Sequence, residues 1–181
     1  FVFNGNKSFA YSETDETDPI GVYGLSKLKG EQEIIKYHSA HFIIRTSWLY
    51  SEYGNNFMKT MLRIVETRNE ISVVNDQIGT PTYAGDLAMV IILIINIRSN
   101  KYGVYNYINE GEISWFDFAK AIFEIEELHI RTNPIESAHY PTPAKRPFYS
   151  VLNKSLFKAT YGIEISYWRD SLVSCLRKIE L

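Results

Sequence analysis

Two residues able to move a proton, Tyr23 and Lys27, stand four positions apart in a segment whose apolar spacing predicts a helix over residues 21–38. Residues with this spacing lie on one face of a helix. An ammonium group beside a phenol stabilises the phenolate, so the pair could pass a proton to or from a carbonyl oxygen near neutral pH. Two fixed residues make a short pattern, and an ordinary pair on the surface of a structural helix fits it as well.

Three further polar side chains are candidates for ligand binding. Arg146 follows a proline-rich stretch and precedes Pro147. Prolines restrict the path of a loop, and a guanidinium held in this way can bind a diphosphate through two hydrogen bonds; a surface arginine that caps a helix is the alternative. Asn56 and Gln77 are expected near strand or loop ends, where α/β proteins bind ligands, although each could instead satisfy nearby backbone groups.

Helical and strand patterns alternate along the chain, which predicts an α/β fold with a parallel sheet. Residues 86–97 are so apolar that we expect a helix packed on both sides. We expect Asn55 or Asn56, Ser114 with Asp117, and Gly162 to cap helices. The other predicted elements are helices over 55–68, from 114 onward, over 153–161 and over 166–179, and strands over 1–3, 41–46, 71–74 and 104–108.

Composition excludes several classes of protein. The 181 residues carry a net charge of -2 and no basic tract, which argues against a nucleic-acid binder or a membrane-surface protein. The longest apolar run, residues 87–95, is too short to cross a bilayer. The single cysteine, Cys175, excludes a disulfide framework or a cysteine-based zinc site, and we expect it in the core. One cysteine and no signal-peptide pattern favour the cytoplasm.

Seven segments of the sequence resemble the dTDP-4-dehydrorhamnose reductases, members of the extended short-chain dehydrogenase/reductase superfamily, in residues and in order. The resemblance covers essentially the whole chain. The segments are Phe1-Val2-Phe3-Asn4-Gly5; Glu13-x-Asp15-x3-Pro19-x3-Tyr23-Gly24-x2-Lys27-x2-Gly30-Glu31; Arg45-Thr46-Ser47-Trp48-Leu49-Tyr50; Asn56-Phe57-x2-Thr60-Met61; Asp76-Gln77-x-Gly79-x-Pro81-Thr82; Pro141-x-Pro143-Ala144-x-Arg146-Pro147; and Trp168-Arg169-x2-Leu172.

The resemblance implies the C-terminal part of a doubly wound NAD(P)-binding Rossmann fold with a small substrate-binding α/β lobe. Residues 1–181 would form a single α/β unit, with substrate-binding segments within 49–86 and 110–150. Neither G-x-G-x-x-G nor G-x-x-G-x-x-G occurs in the sequence. We therefore expect that the N-terminal cofactor-binding half, which includes the family's catalytic Thr or Ser, is absent. The chain alone should then lack reductase activity and tight NADPH binding.

The resemblance also implies a reaction, in which NADPH or NADH reduces the 4-keto group of dTDP-4-dehydro-L-rhamnose to give dTDP-L-rhamnose for cell-surface polysaccharide. Tyr23 would protonate the oxygen, and Lys27 would support Tyr23 and bind the nicotinamide ribose. Trp48 would lie against the nucleotide sugar, with core packing as its alternative. Arg146, Asn56 and Gln77 would be further substrate contacts.

Three points stay open on the sequence. Some family members dimerise around magnesium held by carboxylates, but Gly85 replaces one such glutamate beside Asp86, so we do not predict that metal. A homodimer remains compatible with the sequence. The alternative functions are a non-catalytic regulatory subunit of the methionine adenosyltransferase type and a reductase or epimerase of another nucleotide sugar.

Overall fold

The computed structural model describes residues 2–140, 142 and 146–179. Its helices are α1 (Val22–Tyr37), α2 (Phe57–Val65), α3 (Ala84–Asn96), α4 (Trp115–Ile125), α5 (Ser155–Tyr161) and α6 (Trp168–Leu176). Its strands are β1 (Phe42–Arg45), β2 (Leu49–Tyr50), β3 (Glu70–Val74), β4 (Ile78–Gly79), β5 (Thr82–Tyr83), β6 (Gly103–Asn106), β7 (Ile113–Ser114) and β8 (Arg131–Ile135).

The strands form pairs that are mostly parallel. β1 pairs with β6, β2 with β5 and β3 with β8, each in parallel, whereas β4 and β7 are antiparallel. In the β3–β8 pair, Pro134 stands opposite Val73. The prediction of an α/β fold with parallel pairing is therefore confirmed. Among the described residues, the parallel strands form separate two-stranded sheets.

The predicted helix caps are confirmed. The Asn56 side chain accepts a hydrogen bond from the backbone N–H of Lys59 and begins α2. Ser114 and Asp117 form a reciprocal capping box at the start of α4. Gly162 ends α5 with a left-handed backbone (φ 62°), which glycine adopts without the steric cost of a Cβ atom.

Two predictions are wrong: the strand over residues 1–3, and the packing of the helix over residues 86–97 on both of its sides. Val2 and Phe3 are buried but belong to no strand, and Phe1 lies outside the described residues. Helix α3 is packed on one side only: Val90 and Ile94 are buried, whereas the opposite side of the helix carries exposed apolar residues. These exposed residues are Met89, Ile91, Ile92 and Ile95. No helix of the described residues is long and apolar enough to cross a membrane.

Three apolar clusters form the core. The largest joins α2, α4, α6 and β3, and it contains Cys175, where burial raises the pKa of the thiol to about 12. The second surrounds Val2, Phe3 and Ile108, and the third packs α3 and α5 against Tyr105 and Tyr107. The predicted core position of Cys175 is confirmed by its full burial.

A buried amide three residues after β6 ties this part of the chain to β5, α3 and α6. Asn109 is fully buried, and its oxygen accepts a hydrogen bond from the backbone N–H of Tyr83 (2.9 Å). Its nitrogen donates to the Asp86 carboxylate (2.7 Å) and to the Ser171 hydroxyl (2.9 Å). The Ser171 hydroxyl also donates to Asp86 (2.5 Å). The Asp86 carboxylate, which follows Gly85, is thus used in hydrogen bonds that stabilise the fold.

We expect Asn109→Ala to lower the free energy of unfolding of the full-length protein by roughly 2–4 kcal/mol, because a buried N–H and a carboxylate would lose their partner. Urea unfolding checks this. Asn100→Ala, at an exposed asparagine, is the matched control and should change stability by less than about 0.5 kcal/mol. Equal effects of the two substitutions would contradict a role of the network in stability.

Candidate active site

Tyr23 and Lys27 lie together near the start of α1. The Lys27 ammonium lies over the Tyr23 ring, 5.3 Å from its centroid. Both side chains are exposed, Tyr23 by 60%. The helix therefore presents a hydroxyl and a cation together on an open surface, where a ligand can reach both.

Few contacts hold α1 against the rest of the protein. Gly24 is its only fully buried residue among those described, and Leu28 packs against the second core cluster. The strongest polar tie is an ion pair between Glu31 and Arg45 of β1. The Arg45 Nη2 atom lies 2.6 Å from Glu31 Oε2, Nε donates to the same carboxylate at 3.0 Å, and both side chains are almost buried, 11% and 12% exposed. This bidentate contact fixes the rotation of α1 about its axis, and with it the direction of Tyr23.

Trp48 occupies a strained backbone position between β1 and β2. Its φ angle is 46°, in the left-handed region that bulky residues avoid at a cost of roughly 1–2 kcal/mol. Two hydrogen bonds hold it there: the N–H of Thr82 donates to the Trp48 carbonyl (3.2 Å), and the Ser47 hydroxyl donates to the Thr80 carbonyl (3.0 Å). Strain maintained in this way is often found at ligand sites.

The indole of Trp48 is stacked on that of Trp115, the first residue of α4. The ring centroids are 3.6 Å apart and the planes differ by 10°. One face of the Trp48 ring is thus covered by Trp115, and Trp48 remains half-buried. Trp48 is not among the described members of the three apolar clusters, and it reaches the largest of them through Trp115.

Gly79 of β4 lies against the same indole. A Cβ atom at this position would be 2.5 Å from Trp48 Cε2 and 2.6 Å from the Ser150 hydroxyl, both far closer than atoms can approach. Only glycine allows β4 and Trp48 to approach this closely. The glycine of the Asp76-Gln77-x-Gly79 segment is therefore explained by the space that Trp48 occupies.

The loop that carries Arg146 meets the N-terminal residues. Pro147 is buried against Gly5, whose φ of 81° and lack of a side chain permit the contact. Asn4 in turn binds Asp18, in the segment that leads into α1. Arg146 itself is exposed, and Pro141, Pro143 and Ala144 lie outside the described residues.

Asn56 and Gln77 are engaged in local hydrogen bonds. The Asn56 amide also donates to the Ser51 carbonyl (2.7 Å), in addition to capping α2. The Gln77 amide donates to the Ser137 hydroxyl (2.9 Å), which itself donates to Asp76. These contacts match the alternative interpretation of both residues, in which they satisfy groups of the protein itself.

Tyr149 adds a neutral phenol beside β4. It bridges to Ile78, and its hydroxyl donates to Glu112 (2.9 Å). Burial, and then the Glu112 carboxylate, raise the pKa of Tyr149 well above its usual value near 10. This phenol therefore stays protonated and acts as a hydrogen-bond donor.

The structure reveals site-forming residues that the sequence patterns did not single out. Trp115 lies in the helix expected from residue 114 onward but was not among the candidate site residues. Glu31 and Arg45 were expected only as positions in the segments that resemble a known family. Among the described residues, no group of three or more His, Cys, Asp or Glu side chains could hold a metal ion.

The model of one protein family, described as the RmlD substrate binding domain, matches residues 1–181. The chain belongs to this family. A curated dTDP-4-dehydrorhamnose reductase from Aggregatibacter actinomycetemcomitans is 44% identical to this RmlD-type chain over 95% of the chain and 62% of the relative. The chain thus spans about three fifths of the length of that relative.

Solved structures agree with the family assignment. A dTDP-4-dehydrorhamnose reductase from Clostridium acetobutylicum superimposes with a TM-score of 0.94 at 37% identity, over 99% of the RmlD-type chain and 63% of that structure. The reductase from Bacillus anthracis, solved in complex with NADP, gives a TM-score of 0.91 at 38% identity, with the same coverage of both chains. The Rossmann-type fold class inferred from the resemblance is confirmed.

The anchoring of α1 leads to a prediction about stability. Arg45→Met should lower the free energy of unfolding of the full-length protein by roughly 3 kcal/mol, since it leaves the Glu31 carboxylate almost buried without its partner. Thermal and urea unfolding measure the change. The Glu31→Gln/Arg45→Met double variant should regain part of the loss.

The control is Arg131→Met, which breaks the exposed ion pair with Glu70 (3.5 Å; side chains 75% and 54% exposed). It should cost less than about 1 kcal/mol. If the two arginine substitutions had the same effect, the Glu31–Arg45 pair would not be the anchor of α1.

Proposed function

We propose that this chain is the catalytic and substrate-binding part of a dTDP-4-dehydrorhamnose reductase. The enzyme reduces the 4-keto group of dTDP-4-dehydro-L-rhamnose to give dTDP-L-rhamnose. The observation that carries the proposal is the Lys27 ammonium over the Tyr23 ring, on an anchored helix, in a chain of the RmlD family.

Tyr23 and Lys27 fit the nicotinamide end of a dinucleotide. Both side chains are exposed on α1 and offer a hydroxyl and an ammonium group to ribose oxygens. NADPH, when bound, supplies a hydride for the carbonyl carbon of the sugar. Tyr23 donates the proton to the carbonyl oxygen through Oη, and Lys27 stabilises the phenolate that remains. The NADP complex of the B. anthracis relative supports NADPH over NADH as the cofactor.

The substrate lies, in this proposal, over segments 49–86 and 110–150. Two contacts in the structure support this assignment, because they join the segments: β4 pairs with β7, and the Thr80 hydroxyl donates to the Gly111 carbonyl (2.6 Å). Trp48 offers the uncovered part of its indole to the deoxysugar or the thymine. Arg146 is exposed and free to approach the diphosphate. Asn56 and Gln77 act mainly by fixing the loops around the site.

The names of the relatives favour the reductase over a regulatory subunit of methionine adenosyltransferase, since similar curated proteins from three different bacteria are named as reductases. The second candidate function is a reaction on another nucleotide sugar, and only the shared fold supports it. A cytoplasmic location and a homodimer belong to the same proposal. No magnesium is included, because Asp86 is engaged with Asn109 and Ser171.

Replacement of Tyr23 tests the proposal. In the full-length protein, Tyr23→Phe should lower the turnover of the dTDP-4-keto sugar by at least about 10²-fold, because the general acid is lost. The affinity for NADPH should change little. Turnover is followed by NADPH absorbance, and NADPH affinity by titration calorimetry.

Helix α1 provides a matched control in Tyr37, an exposed tyrosine whose ring also lies beneath a lysine ammonium, that of Lys36, at 4.8 Å. Tyr37→Phe should leave turnover within about twofold of the wild type. Near-normal turnover of Tyr23→Phe, or an equal loss in both variants, would exclude Tyr23 as the proton donor.

Lys27→Met should lower turnover, because the phenolate that forms on Tyr23 in the reaction loses its neighbouring positive charge. Lys36→Met, at the other Lys–Tyr pair of the helix, should leave turnover within about twofold of the wild type. The measurement is kcat at saturating NADPH. A loss of folding stability with an unchanged kcat would assign Lys27 a structural role instead.

A further inference from the structure

Trp48 has the least favourable backbone conformation of the site residues, because a residue with a bulky side chain adopts a left-handed φ angle. The two hydrogen bonds at positions 47 and 48 fix its backbone but leave the indole free to rotate about its side-chain bonds. Something else must determine where the ring lies.

Trp115 supplies that constraint. Its indole lies parallel to the Trp48 ring at 3.6 Å and also packs against Phe57 at 4.7 Å, at the start of α2. Phe57 and Trp115 both contact Phe118, which is fully buried in the largest core cluster. A row of rings therefore connects the half-buried Trp48 to the rigid core.

The base of this row is well fixed. The capping box of Ser114 and Asp117 stands directly at Trp115 and sets where α4 begins. Gly79 limits the Trp48 ring from β4, where even a methyl group would collide with it. The ring is thus held by one aromatic contact and one steric limit, which come from different segments.

We propose that Trp115 is a positioning residue that sets the orientation of Trp48 and thereby the affinity for the sugar nucleotide. This inference rests on the proposed function. Trp115 itself need not touch the ligand; it acts through the ring of Trp48. The predicted effect is on the KM for the sugar nucleotide, with the chemistry at Tyr23 and the KM for NADPH nearly unchanged.

The test uses steady-state kinetics of the full-length protein with NADPH and dTDP-4-dehydro-L-rhamnose. Trp115→Leu should raise the KM for the sugar by about 3- to 10-fold, the range expected for the loss of one aromatic contact. The conservative Trp115→Phe should restore most of it. Gly79→Ala, which displaces the ring from the other segment, should raise the same KM.

Trp168→Leu is the matched control. Trp168 is buried in the same core cluster and contacts Phe118, so its loss tests for a general effect of core damage. It should lower stability at least as much as Trp115→Leu, yet leave the KM for the sugar within about twofold. In a Trp48→Ala background, Trp115→Leu should have no further effect on that KM.

A second readout does not depend on turnover. Two indoles stacked this closely give an exciton couplet in far-ultraviolet circular dichroism. Trp48→Leu and Trp115→Leu should each abolish the same couplet, whereas Trp168→Leu should keep it. A couplet that persists in Trp115→Leu would overturn the inference.

The outcomes separate the inference from the proposed function. An active wild type with an unchanged sugar KM in Trp115→Leu, or additive effects in the Trp48→Ala background, would overturn the inference and leave the function intact. A wild type that binds NADPH but does not turn over the sugar would overturn the proposed function and the inference that rests on it.

Discussion

One guanidinium group, that of Arg45, connects the parts of the molecule on which the candidate active site depends. It binds Glu31 of α1 in a bidentate manner, donates to the Glu13 carbonyl and lies 5.3 Å from the centre of the Phe3 ring. Four separate segments of the first 45 residues, its own included, meet at this side chain. Since α1 buries little apolar surface of its own in this chain, its orientation depends on an electrostatic contact more than on packing.

Such an anchor has a different character from apolar packing. A bidentate ion pair fixes an angle as well as a distance, because both nitrogen–oxygen contacts must be made together. An apolar contact of equal strength would allow α1 to slide and rotate. A helix that must present a phenol and an ammonium in one direction benefits from the stricter geometry, even though ion pairs of this kind contribute little net stability.

The sequence predicted the helices, the caps and the pairing of Tyr23 with Lys27 because these depend on local spacing. The capping box at Ser114 and the left-handed Gly162 follow from two or three neighbouring residues. The two-residue strands, such as β4 and β7, were missed because periodicity cannot show in so short a segment. Strand β8 was missed because its residues, Arg-Thr-Asn-Pro-Ile, include a proline and little apolar surface.

The arrangement around Trp48 was beyond prediction for a different reason. A motif can indicate that a tryptophan is important, but its stacking partner Trp115 is far away in sequence and resembles any other core residue of an amphipathic helix. The requirement for glycine at position 79 likewise arises only once the Trp48 ring is in place. Local rules describe each segment, whereas the site is formed by contacts between segments.

Pro134 has a consequence for how this protein avoids unwanted association. The N–H of Arg131 donates to the Asn69 carbonyl and the carbonyl of Ile135 accepts from Asn75, so the odd-numbered residues of β8 bond to β3. Pro134 falls between them, and its nitrogen faces away from the sheet. Along the outer edge of β8, one hydrogen-bond donor is therefore missing where another strand would need it. The proline costs the β3–β8 pair no hydrogen bond, while it discourages edge-to-edge addition of a second chain at this strand.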